Sequence, residues 1–160
     1  MAYVLDANVF LQAKNLHYGF DFCPAFWDWL KAQNQQGIVF SIEKVKDELV
    51  DDDAAAWAAS CVAAFFLKPD AKVVTSLATV GQWVAQQTYE PSAVNTFLQV
   101  ADYYLVAHAH AYGYTVVTHE KPANSLKKVK IPNVCIGLQV KCMTPFEMLR
   151  VERAKFVLGP

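Results

Sequence analysis

Four carboxylates in this chain stand where their surroundings call for something else: Asp6, Glu48, Asp102 and Glu120. Asp6 is the one charge in the run YVLDANVFL, and burying an unpaired ionised group costs several kcal/mol. Asp102 shares a helical stripe with Leu98, Val106 and Ala109, so it points inward with them. Glu120 follows the strand-like run Tyr114–Thr118 by two residues, and Glu48, with Glu43 as the competing choice, lies near the start of a helix that follows a second strand. Two carboxylates about 4 Å apart repel by roughly 4 kcal/mol at an effective dielectric near 20. A divalent cation reverses that sign. Oxygen ligands without Cys or His at metal-binding spacing suit Mg²⁺ or Mn²⁺. Such an ion acidifies water and stabilises charge on a phosphoryl oxygen, which is the chemistry of phosphodiester hydrolysis.

The elements that must position these acids are legible as alternating strands and helices. A strand over about 2–6 leads into a loop, and Pro24 opens a helix over 24–35 that ends at Gly37. Ile38–Ser41 forms the next strand, and residues 43–50 a helix with Val45 and Leu49 inward. Asp53 is placed to cap a helix over 54–66. Further helices are expected over 72–88 and from Glu90-Pro91-Ser92 to Tyr112, closed by Gly113. Tyr114–Thr118 is the clearest later strand. A Lys-rich loop, a short strand over 133–137 and a helix from Thr144-Pro145 to about Phe156 complete the chain. Strands separated by helices imply parallel pairing through right-handed crossovers, hence an α/β sandwich with a central, mostly parallel sheet and helices on both faces. In such a sheet functional groups collect at the carboxyl ends of the strands, where Asp6 and Glu120 both emerge.

Composition sets the outer bounds. The 160 residues, 54% hydrophobic and 18% charged, suit one globular domain over 1–160. No segment is long and uncharged enough to span a bilayer, and the N-terminal run is no signal peptide, so a cytoplasmic protein without membrane contact is expected. Cys23, Cys61, Cys135 and Cys142 read as free thiols there, and the four His do not join them at zinc-like spacing. Charge is uneven: residues 1–120 carry 6 Lys against 13 Asp or Glu, whereas residues 121–160 carry 8 Lys or Arg against Glu147 and Glu152. Lys121, Lys127, Lys128 and Lys130 directly follow Glu120, where positive charge would offset repulsion between an acidic crevice and a polyanion.

The acids also carry a resemblance. LDANVF (Leu5–Phe10), VKDEL (Val45–Leu49) and ADYYLVAHAHAYGYTVVTHE (Ala101–Glu120) resemble, in order, the motifs of the PIN-domain ribonucleases, best known as toxins of bacterial toxin–antitoxin pairs. The opening segment is similar to a divergent PIN-like subfamily of bacterial proteins. The resemblance implies a PIN-like three-layer sandwich in which Asp6, Glu48, Asp102 and Glu120 hold Mg²⁺ or Mn²⁺ and activate water. Asn8 and Thr118 would then position Asp6 and the scissile phosphate, with Lys121 on the substrate. It further implies an RNA substrate, a cognate antitoxin and often a homodimer. Glu120 departs from the pattern, since the family more often has Asp there, and the extra methylene could draw a second ion outward or leave only one firmly held.

Two rival readings use the same residues. A PIN-like scaffold could bind RNA or protein without cutting. LDANV also resembles the opening of the haloacid-dehalogenase-type phosphatases, but Asn8 stands where that family needs a second Asp, and Asn cannot act as a general acid. His17–Phe22 is either a base-stacking loop or a loop packed on the Trp27/Trp29 helix, and core preference for aromatics favours the second.

Overall fold

A computed structural model describes residues 1–159; Pro160, the last residue of the expected domain, lies outside the described residues. Five parallel strands form one sheet in the order β3-β2-β1-β4-β5. These are β1 (Tyr3–Leu5), β2 (Val39–Ile42), β3 (Phe66–Leu67), β4 (Thr115–Val117) and β5 (Cys142–Met143). β1 lies in the middle, with Val4 opposite Phe40 on one side and Val116 on the other. Its three residues are fully buried, as suits a central parallel strand.

From β1 the chain steps to β2 and then β3, and from β4 it steps the opposite way to β5. Right-handed crossovers therefore put the two sets of helices on opposite faces. One face carries α1 (Ala7–Gln12), α2 (Pro24–Gln35) and α4 (Asp52–Ser60), with the short α3 (Glu43–Lys46) at the sheet edge. The other carries α5 (Ala71–Gln86), α7 (Ala101–Tyr112) and α8 (Ile131–Leu138), which pack on one another, with α6 (Pro91–Phe97) between α5 and α7 in the chain. A final helix, α9 (Pro145–Val151), begins at Thr144, whose hydroxyl accepts from the Glu147 amide as an N-cap. Among the described residues no helix is long and apolar enough to cross a membrane.

Several local expectations are corrected. Asp6 does not belong to the first strand, which ends at Leu5, and α1 plus a π-helical turn (Ala13–His17) replace the expected loop. Residues 133–137 are helical. Pro132 sits in the first turn of α8, and Ile131, Val134 and Cys135 bury one face at helical spacing, so periodicity outweighed the β-branched composition. The helix expected over 54–66 ends at Ser60, and β3 emerges from its tail. Its N-cap position is Asp51, with Asp53 inside the first turn. The region from Glu90 to Tyr112 breaks into α6 and α7, which removes Leu98 from the stripe of Asp102. The helix over 43–50 is regular only through Lys46, although Val45 and Leu49 are both buried as expected.

An aromatic cluster anchors the first face. Phe10, with no exposed surface, has its ring 5.6 to 6.4 Å from those of Trp27, Trp57, Phe65 and Phe66. It thereby ties α1 to α2, α4 and β3. The His17–Phe22 segment packs here too: Phe20 stacks on Trp27 at 4.0 Å, and the Trp27 indole donates to the Tyr18 carbonyl. Phe10→Ala is expected to lower the unfolding free energy by about 3–5 kcal/mol in urea denaturation. A loss no larger than that of a surface substitution would show that this cluster does not anchor the face.

Candidate metal centre

Asp6 sits at the first residue past β1 and caps α1. Its Oδ1 accepts from the Ala7 amide at 2.7 Å and its Oδ2 from the Thr118 hydroxyl at 2.8 Å. Asp6 also extends the sheet, since its amide donates to the Val117 carbonyl at 2.9 Å. Asn8, in the first turn of α1, braces the opposite strand end: its amide donates to Thr118 Oγ1 at 3.1 Å and its Oδ1 accepts from the His119 amide at 3.1 Å. The Glu120 amide donates to Thr118 Oγ1 as well. These bonds hold the segment after β4 against the start of α1.

Asp102 and Glu120 complete the cluster. α7 runs antiparallel to the strands, so its first turn lies at their carboxyl edge and delivers Asp102 there. Oxygens of Asp6, Asp102 and Glu120 all lie within 4.8 Å of one another. The extra methylene of Glu120 therefore does not keep it from the other two. Glu120 leaves only 13% of its side chain exposed, and its Oε1 is buried without a hydrogen-bond partner. Lys130 Nζ approaches that oxygen to 3.9 Å, an ion pair without hydrogen-bond contact.

The electrostatics follow from this crowding. Burial, then the charge of Asp102, pushes the Asp6 carboxyl up to about 7, with Glu120 adding to the rise and the Thr118 and Ala7 hydrogen bonds opposing it. Burial raises Asp102, against the attraction of Lys128 and Lys130. Glu120 is raised by burial and then by Asp102, again opposed by the two lysines. Burial thus raises each of the three, and for Asp6 and Glu120 the neighbouring charge of Asp102 adds to it.

The other expected site residues are placed less centrally. Glu48 does not join the cluster; it is exposed at the rim, where burial of part of its side chain and then the charge of Asp102 raise its pKa. Glu43 lines a separate cleft with Tyr104 and His108. Lys121 is exposed and forms no ion pair among the described residues, and the lysines whose charge reaches the acids are Lys128 and Lys130. His108 is buried while His110 meets the Ser76 hydroxyl at 2.9 Å, so they do not act as joint ligands. Two contacts beside the acids were not expected from the sequence. His17 stacks on His119 at 5.6 Å beside Glu120, and the buried Cys135 thiol lies beside Cys142 near Glu120. The neighbouring Cys142 sulfur, burial and the charge of Glu120 push the Cys135 thiol up, and all four cysteines are free as expected.

These residues fit a hard divalent cation. Three carboxylates converge, one presents an orphaned buried oxygen, and their raised pKa values mark a shortage of positive charge. The site lies between the ends of β1 and β4, where the sheet connections reverse direction, as ligand sites of open α/β sheets do.

Fold and site together define an α/β protein with an all-parallel sheet and a three-carboxylate centre at its topological switch point. The chain belongs to the family described as a domain of unknown function, DUF4411, whose model matches residues 3–156 and so spans every residue of this centre. Neither the curated proteins nor the solved structures contain a match to it.

A pH dependence of stability follows from Asp6. In chelator, between about pH 4 and pH 7, the folded state retains a proton that the unfolded chain has released, so stability falls as pH rises through that window. The fall from this group is of order 4 kcal/mol at most. Urea unfolding at a series of pH values is expected to show this slope in the wild type and a flatter one in Asp6→Asn. Equal slopes would place the titration elsewhere.

Proposed function

We propose that this protein is a cytoplasmic Mg²⁺- or Mn²⁺-dependent endoribonuclease of the PIN type that hydrolyses RNA phosphodiester bonds. The observation that carries the reading is the approach of Asp6, Asp102 and Glu120 to within 4.8 Å of one another, with one buried oxygen left unpartnered. The order of the motifs along the chain supplies the likeness to that family, and the lysines beside the acids favour a polyanionic substrate.

Asp6, Asp102 and Glu120 would hold the ion. When bound, it supplies Lewis acidity toward a phosphoryl oxygen and acidifies water. Thr118 and Asn8 keep Asp6 in register with the segment after β4, so the first and last acids of the set cannot drift apart. Lys128 and Lys130 add positive charge where a phosphate must approach three acids. Glu48, at the rim with a raised pKa, is suited to exchanging a proton with water near the site. Asn8 has no acid to donate and is engaged on both sides of its amide, which disfavours the aspartyl-phosphate mechanism of a phosphatase.

In Mn²⁺, Asp6→Asn and Asp102→Asn are each expected to slow cleavage of single-stranded RNA by about 10³-fold, the equivalent of several kcal/mol of lost charge stabilisation. Glu48→Gln, outside the cluster, is expected to cost roughly 10–100-fold. Cleavage by Asp6→Asn at the wild-type rate would remove the nuclease reading and leave a non-catalytic scaffold.

The same reading extends to a toxin role, with the activity held in check by a protein antitoxin encoded beside it. Induced expression of the wild type is then expected to arrest bacterial growth, and expression of Asp6→Asn is not. Equal growth of both cultures, with active enzyme present, would separate the nuclease from a toxin role.

A further inference from the structure

A cleft of about 450 Å³ lies between α9 and the end of the π-helical turn, within the size range of small-molecule sites, about 300–1,000 Å³. Three rings line it, Tyr18, Phe146 and Phe156, and three cations, Arg150, Arg153 and Lys155. The cations are exposed, and none forms an ion pair among the described residues. The acids of the same segment are engaged elsewhere. Glu152 accepts from the Tyr3 hydroxyl at 2.7 Å, and Glu147 accepts from Thr144 at the start of α9. Among the described residues no acid lines the cleft, so its wall carries positive charge alone.

Its backbone is arranged around those side chains. Arg153 follows α9 with φ 55°, the left-handed conformation usually given to Gly after a helix, while the Ala154 amide returns to the Leu149 carbonyl at 2.9 Å. An L-residue other than Gly costs roughly 1–2 kcal/mol there. On the opposite wall, the π-helical turn closes with the Tyr18 amide on the Ala13 carbonyl at 2.7 Å, which brings Tyr18 to the cleft.

Phe146, on the wall of the cleft, links it to the carboxylate centre. Phe146 meets His17 edge-on at 5.0 Å and His119 at 5.6 Å, and His119 is bonded in sequence to Glu120. Aromatic rings and unpaired cations lining one cleft match a chain of unpaired bases joined by phosphates, because bases stack on π-faces and the cations need anions. A duplex hides those faces. An acidic peptide would use the cations but not the rings, of which Tyr18 already stacks one face on Phe26 at 4.5 Å and Phe146 and Phe156 meet their neighbours edge-on.

We propose that this cleft binds the single-stranded RNA segment flanking the scissile phosphate, with bases against Tyr18, Phe146 and Phe156 and phosphates on Arg150, Arg153 and Lys155. The proposal rests on the nuclease reading for its ligand and names the path that ligand takes.

The test uses the full chain carrying Arg150→Glu and Arg153→Glu together, with Lys155→Glu as a separate variant; all three positions are exposed, and thermal melts check the fold. Binding of a fluorescent oligouridylate is followed by anisotropy in EDTA, where no cleavage occurs. The double variant is expected to bind at least about tenfold more weakly, and its dependence of log Kd on log salt to flatten by about 1.4, or 0.7 for each of two phosphate contacts. Lys155→Glu is expected to show a smaller loss in the same direction. Hydrolysis of bis(p-nitrophenyl) phosphate in Mn²⁺, a diester too short to need the cleft, is expected to stay at the wild-type rate. RNA affinity indifferent to the charge reversal overturns the proposal, as does duplex RNA bound as tightly as the single strand, or an affinity loss seen with polyglutamate and not with RNA. The two readings fail separately: RNA binding through Arg150 and Arg153 without diester hydrolysis removes the nuclease and keeps the cleft, and the reverse pattern keeps the nuclease and removes the cleft.

Discussion

The parallel pairing of β1 with β4 continues one step beyond the strands, through the Asp6 amide on the Val117 carbonyl, and is then crossed by the Thr118 hydroxyl on the Asp6 carboxylate. Two strand ends are thereby locked in register by a backbone bond and a side-chain bond at the same point. Because β1 lies in the middle of the sheet and the connections leave β1 and β4 in opposite directions, that point opens as a crevice instead of being covered by a crossover helix. α1 starts from it, α7 delivers Asp102 to it, and the segment after β4 delivers Glu120. Remove this junction and none of the acids has a reason to meet the others.

Meeting is electrostatically unfavourable, and the fold offsets the cost without removing it. Lys128 and Lys130 temper the field but stay too far to neutralise it, the nearest contact being 3.9 Å. The rest of the stabilisation must come from apolar packing, which the two faces provide in different ways. Around Phe10 five aromatic rings interlock on one side of the sheet. On the other, α7 presents Leu105, Val106 and Ala109, all buried, between α5 and α8. A centre with surplus negative charge can thus sit at the rim of a well-packed core, and in the proposed function a cation supplies the charge that the protein withholds.

The charge asymmetry along the sequence gains a spatial meaning in this arrangement. Acids from the first 120 residues converge at the sheet edge, and the basic last quarter of the chain folds back beside them. Its loop brings Lys128 and Lys130 to the acids, and α9 with the residues after it places Arg150, Arg153 and Lys155 in the adjoining cleft. Opposite charges separated in sequence become neighbours on one surface, the condition for guiding a polyanion toward an acidic centre.

Sequence alone determined the class of fold and singled out, with Glu48 beside them, the three acids that the structure brings together, because both are written in local pattern. Alternation of β-rich and helical segments forces parallel strands, and Asp6, Asp102 and Glu120 are each conspicuous within a few residues of context. Gly37 and Gly113 closed their helices where expected, with φ of 75° and 71°. Short elements were not legible: β3 and β5 have two residues each, too few to carry a period, and α8 hid behind β-branched residues whose helical spacing only packing against α5 and α7 made decisive. Nor could sequence rank Glu48 below the other acids, choose Lys128 and Lys130 over Lys121, or bring His17 to His119 across the chain. Those outcomes depend on distances between segments far apart in sequence, and such distances exist only once the sheet has set its strand order.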